Sequence, residues 1–153
     1  MTQQRILIMG VGNYLMRDEG VGVHAIKYLE KQTLPANVDL LDGGTGGFHL
    51  LGYFERYPHV ILVDATLDNN PPGSIRLIKP RYAADFPQAM STHDIGLKDL
   101  VSAMQLLDVK TTVYLFTISI KTIQEQGIEL NAEVKAILPE LAGRVIKLCN
   151  EIV

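Results

Sequence analysis

The chain has 153 residues, 47% of them hydrophobic and 20% charged, which suits a single globular domain over residues 1–153 with a core of its own. Its formal net charge is −3 and it carries no run of Lys or Arg, which argues against a nucleic-acid surface. Cys149 is the only cysteine, so a disulfide framework and a thiolate-rich metal site are excluded, and any metal must be held by nitrogen and oxygen.

Residues 5–9 (RILIM) are a short apolar run that stops at Gly10, the pattern of a buried strand. The run is too short for a signal-peptide core or a membrane span, so the expectation is a cytoplasmic protein without membrane insertion. Asp18 is placed to cap a helix reaching about residue 31, with Val21, Ala25, Tyr28 and Leu29 on its apolar face. A second strand over 38–41 stops at Asp42-Gly43-Gly44, and a helix over 46–56 carries Leu50, Leu51 and Phe54. A third strand over 60–63 ends at Asp64. Helices alternating with short apolar strands predict right-handed βαβ units in a parallel sheet.

The strand predicted over 74–78 follows a loop containing Asn69-Asn70-Pro71-Pro72-Gly73. That loop is too short for a crossover helix, so the strand should pair antiparallel at an edge. Ser91 or Thr92 caps a helix predicted over 95–107, with Leu97, Leu100, Val101 and Met104 inward, and a fifth strand is predicted over 112–120. Asn131 then opens a long terminal helix. Val134, Ile137, Leu138, Leu141, Val145, Leu148 and Ile152 form its buried stripe, and Pro139 is the place for a kink.

Ligands of open parallel sheets bind beyond the carboxyl ends of the strands. Asp18 and Glu19 follow the first strand, Asp42 ends the second and Asp64 ends the third, so the topology gathers carboxylates on one rim. A carboxylate ending a buried strand must be paired, hydrogen-bonded or metal-bound to offset its desolvation. The plainer reading of Asp64 is a loop or helix cap. The plainer reading of Glu19 is a first-turn residue, stabilised by the helix dipole by roughly 0.3–1 kcal/mol. His93 falls at the start of the helix predicted over 95–107, where the dipole disfavours imidazolium and favours the neutral form that ligates metals. A lone histidine is nonetheless more often structural. His24, His49 and His59 read as packing or surface residues. One imidazole and two carboxylates suit nickel, zinc, manganese or iron, and ligands drawn from separate loops leave positions open for substrate or water.

Gly10-Val11-Gly12-Asn13-Tyr14-Leu15 follows a strand as a dinucleotide fingerprint would. Leu15 replaces its third glycine, however, and the segment before the helix is too long. The glycines fit better as points where the chain leaves the strand sharply and approaches another backbone. The Gly43-Gly44 pair is either a surface for an extended peptide or a tight turn.

Four segments resemble, in order and spacing, the motifs of the hydrogenase maturation proteases. They are Gly10-Val11-Gly12-Asn13 with Asp18-Glu19-Gly20; Asp42-Gly43-Gly44-Thr45, followed by Leu50-Leu51; Val63-Asp64-Ala65; and Ser91-Thr92-His93-Asp94-Ile95-Gly96-Leu97. The resemblance spans nearly the whole chain. It implies an α/β fold: a three-layer sandwich with a twisted five-stranded, mostly parallel sheet, one antiparallel edge strand and helices on both faces. It implies an endopeptidase that removes a C-terminal extension from a nickel–iron hydrogenase large-subunit precursor after nickel insertion, the nickel being supplied by that precursor. The family's three metal-contacting residues fall on Glu19, Asp64 and His93, with Asp42 as an accessory.

No Ser or Cys stands in an activating context, so a water is the expected nucleophile. Either nickel polarises the carbonyl or the water, or a carboxylate acts as general base, which leaves metallo- and aspartic-type mechanisms both open. The alternatives to a peptidase are a nucleotide-binding module, suggested by Gly10 and Gly12, and a metal-binding chaperone.

Overall fold

The computed structural model describes residues 4–45, 50–80, 104–121 and 126–152. Strand β1 (Ile6–Val11) is buried along its whole length, as a strand covered on both faces must be. A 3-10 turn (Arg17–Gly20) then leads into helix α1 (Val21–Leu29). Strand β2 (Val38–Gly44), helix α2 (Leu51–Arg56) and strand β3 (His59–Thr66) follow. Strand β4 (Ile75–Ile78) precedes strand β5 (Thr112–Ser119). The chain closes with a short helix α3 (Ala132–Lys135) and a long helix α4 (Leu138–Ile152).

The sheet order is β2-β1-β3-β5-β4. β1 pairs in parallel with β2 and β3, and β3 in parallel with β5. β4 joins antiparallel to β5 at the edge, as its short connection from β3 requires. Alternation along the strands divides the core between two faces. Ile6, Ile8, Ile61, Val63 and Phe116 pack with α1 and α4 on one face. Leu7, Met9, Val60, Leu62 and Leu115 pack with Leu50, Phe54 and Met104 on the other. Burying each such Leu or Ile contributes about 1.5–3 kcal/mol.

The structure departs from the sequence reading in five places, the first being that β1 does not stop at Gly10 but runs on to Val11. Asp18 does not cap α1: the helix starts at Val21, its N-cap is Gly20, and Asp18 lies inside the preceding 3-10 turn. β2 runs on to Gly44, because Val11 still has a partner there beyond an irregularity at Gly10. β3 runs past Asp64 to Thr66, because β5 pairs with it as far as Thr66–Ser119. The terminal helix is broken, not kinked, at residues 136–137. Pro139 falls in the first turn of α4, where its missing N–H costs nothing. The helix predicted over 95–107 lies largely outside the described residues, of which 104–106 are helical.

Candidate functional site

The chain leaves β1 toward α1 and β2 on one side and leaves β3 toward β4 and β5 on the other. The crevice beyond the carboxyl ends of β1 and β3 is therefore the topological switch point, where ligands of such sheets bind. The last β1–β3 pair is Gly10–Val63, so Asp64 is the first residue of β3 beyond β1 on that flank, while Thr117 of β5 pairs with it on the other. Asp64 is fully buried, and its Oδ1 accepts the Ala65 N–H at 2.8 Å.

Glu19 lies in the 3-10 turn, which packs against β3, and is also fully buried. Gly12 links the two acids. A Cβ at Gly12 would stand 2.1 Å from the Glu19 carbonyl oxygen and 3.5 Å from Asp64 Oδ1. Gly12 also has φ +133°, a conformation that side chains strongly disfavour, so this corner requires glycine twice over. Gly10 and Gly22 meet as closely: a Cβ at Gly10 would lie 2.1 Å from the Gly22 carbonyl oxygen. Both glycines of the G-x-G segment are thus taken up by protein packing. The Glu19 backbone and the Asp64 carboxylate stand where a pyrophosphate would approach Gly12, which opposes the nucleotide reading.

Asp42 lies on the rim one strand from β1, paired in register with Gly10. It is exposed, and its Oδ1 accepts the Gly44 N–H at 2.9 Å, closing the turn that ends β2. Strand alternation puts it on the face of Val38 and Leu40, whereas Asp64 shares the face of Val60 and Leu62. Gly44 nonetheless belongs to the corner, because its carbonyl accepts the Gly12 N–H at 2.8 Å. His93 and His49 lie outside the described residues, among which no group of three His, Cys, Asp or Glu side chains is arranged to hold a metal.

The other histidines are engaged elsewhere. His24 Nε2–H donates to the Ile128 carbonyl at 2.8 Å, and its ring packs on Tyr14 with centroids 4.9 Å apart. His59 Nε2–H donates to Gln4 Oε1 at 2.6 Å. Burial pushes both imidazoles below their ordinary value, with Lys27 adding to the effect at His24.

Two side-chain arrangements just past the carboxyl ends of β3 and β1 had no signal in the sequence. Asp68, just past β3, is held below the usual carboxylate range: burial opposes this, but bonds from Ser119 Oγ and from the backbone and side chain of Asn70 outweigh it. Asp18 and Asn131, far apart in the chain, pair directly. Asn131 donates from its N–H to Asp18 Oδ1 at 2.7 Å and from Nδ2 to Oδ2 at 2.9 Å.

Residues 23–148 match the family model described as hydrogenase maturation protease. The chain is 40% identical over 104 residues to the hydrogenase 2 maturation protease of Escherichia coli K12, covering 66% of this chain and 63% of that one. The matched stretch spans less than two thirds of the length of the first relatives of this kind, from 51% to 63%. Among solved structures, the chain is similar to the hydrogenase maturating endopeptidase HybD from E. coli, with a TM-score of 0.86 at 34% identity over 96% of this chain and 93% of that one. It is also similar to the [NiFe] hydrogenase maturation protease HybD from Thermococcus kodakarensis, with a TM-score of 0.77 at 28% identity over 94% and 98%.

Proposed function

Because this chain belongs to the hydrogenase maturation protease family, we propose that it is an endopeptidase that removes the C-terminal extension of a nickel–iron hydrogenase large-subunit precursor once nickel is in place. In this reading Glu19, Asp64 and His93 contact nickel that the precursor carries, so the metal is part of the substrate. The observation that carries it is the burial of Glu19 and Asp64 together at Gly12, at the switch point of the sheet. Two buried acids whose chain segments meet at Gly12 supply oxygen donors, which suit a borderline divalent metal.

The nickel then acts as a report on assembly. Only a loaded precursor offers the charge that this acidic corner attracts, so docking and metal insertion are coupled. A water attacks the scissile carbonyl, activated either by the metal as Lewis acid or by one of the carboxylates as general base.

The test is to incubate the protein with nickel-loaded and nickel-free precursor and to follow both by mass. Loaded precursor alone should lose its extension, and His93→Ala should abolish the loss. Cleavage of the nickel-free precursor at the same rate, or full processing by His93→Ala, would overturn the metal-contact reading. Binding of loaded precursor without any cleavage would identify a chaperone instead.

A further inference from the structure

We infer that Asn131 is a positioning residue for Glu19, acting through Asp18; the inference rests on the reading of Glu19 as a site residue. The 3-10 turn that carries Glu19 has local backbone bonds, Glu19 N–H to the Met16 carbonyl and Met16 N–H to the Asn13 carbonyl, but no side-chain cap. Within it, Arg17 sits at φ +49°, a left-handed conformation that costs a non-glycine residue about 1 kcal/mol. Such a conformation persists only where surrounding structure over-determines it.

The segment at residues 126–131 supplies that structure. Arg17 N–H donates to the Gly127 carbonyl at 2.8 Å, and Gly127 N–H donates back to the Leu15 carbonyl at 2.7 Å. Asn131 completes the clamp with its two bonds to the Asp18 carboxylate, which is 1% exposed. Its Oδ1 in turn accepts from Arg17 Nη2 at 3.0 Å. Asn131 is also the N-cap of α3, where asparagine ordinarily accepts an N–H of the first helical turn with its side chain. It makes no such bond, and its carbonyl serves Val134 and Lys135 instead. The side chain is thus diverted from its helix to the turn. Asp18 and Arg17 flank Glu19, so the clamp sets where the Glu19 backbone meets Gly12 and hence where its carboxylate enters the crevice.

Exchange of the paired groups separates positioning from helix capping. Asn131→Asp is nearly isosteric and remains a good N-cap, but it sets an oxygen against Asp18 Oδ2 where Nδ2 now donates. The double exchange Asp18→Asn/Asn131→Asp restores an N–H facing a carboxylate, with the direction reversed. Processing of nickel-loaded precursor is followed by mass, with the thermal midpoint of each variant. For Asn131→Asp, kcat/KM should fall by about ten- to a hundredfold. The KM for loaded precursor should rise, which a smaller folded fraction alone would not cause. The double exchange should return kcat/KM to within about threefold of the parent.

Processing by Asn131→Asp within about twofold of the parent while Glu19→Gln is inactive would overturn the positioning role alone. So would a folded double exchange no better than the single one. If Glu19→Gln itself processes at the parental rate, the reading of Glu19 fails, and the inference built on it fails too. Should Asn131→Asp not fold, the double exchange carries the same test.

Discussion

Gly12 and Glu19 meet so closely that the glycine hydrogen points at the Glu19 carbonyl oxygen, with no room for a methyl group between them. The contact seats the turn bearing one buried acid against the strand end bearing the other. Gly12→Ala should therefore displace Glu19 as well as strain the backbone at φ +133°. A loss of stability of about 2–4 kcal/mol is expected by urea unfolding. Any folded fraction should process precursor at least about tenfold more slowly. Parental activity in that fraction would show that the Gly12 contact does not set the position of Glu19.

Gly22 and Gly143 should respond in opposite senses to the same substitution. A Cβ at Gly22 would lie 2.3 Å from the Val63 carbonyl oxygen and 2.4 Å from that of Val11, so α1 could not rest on the sheet. Gly22→Ala should cost more than about 2 kcal/mol. A Cβ at Gly143, exposed on α4, meets nothing within 4 Å among the described residues, so Gly143→Ala should stabilise by about 0.5–1 kcal/mol. Denaturant midpoints of the two variants check the contrast, and a shift in the same direction would contradict the packing described.

His59 makes stability depend on pH. Burial lowers its pKa below the ordinary 6.5, and its buried Nδ1 has no acceptor among the described residues, so a second proton has nowhere favourable to point there. The unfolded chain binds that proton more readily. Stability is therefore fully present above pH 6.5 and is lost as pH falls through the lowered folded value. The thermal midpoint should drop between about pH 7 and pH 5, and His59→Gln should drop less over the same interval. His24, lowered for the same reason, leaves a residual slope in the variant. Equal slopes in parent and variant would assign the pH dependence elsewhere.

Cys149 should be chemically silent in the folded protein. It is 1% exposed in the core beneath α4, and burial pushes its thiol up to about 11. A thiol reagent at about pH 8 should label the unfolded chain once and the native chain hardly at all. Rapid labelling of native protein would mean that α4 opens readily from the sheet.

The sequence alone determined the parts of this protein that depend on local pattern. The apolar runs at β1, β3 and β5, separated by helical periodicity, required a covered parallel sheet. A parallel sheet in turn placed the residues after β1 and β3 on one rim, so Glu19 and Asp64 could be assigned to the same end of the sheet before any coordinates. The stripe Val134, Leu141, Val145 and Leu148 likewise announced a helix packed on one side. The tertiary structure alone decided what depends on partners distant in the chain. The Asp18 carboxylate could have capped α1, but the approach of Asn131 drew it into a clamp. β3 could have stopped at Asp64, but β5 offered it partners to Thr66. Gly10 and Gly12 read as close approaches to another backbone, but only the fold decided which one: Gly22 for Gly10 and Glu19 for Gly12. Hydrophobic period is a property of neighbouring residues, whereas the position of a buried carboxylate is set by whichever donors the folded chain brings to it.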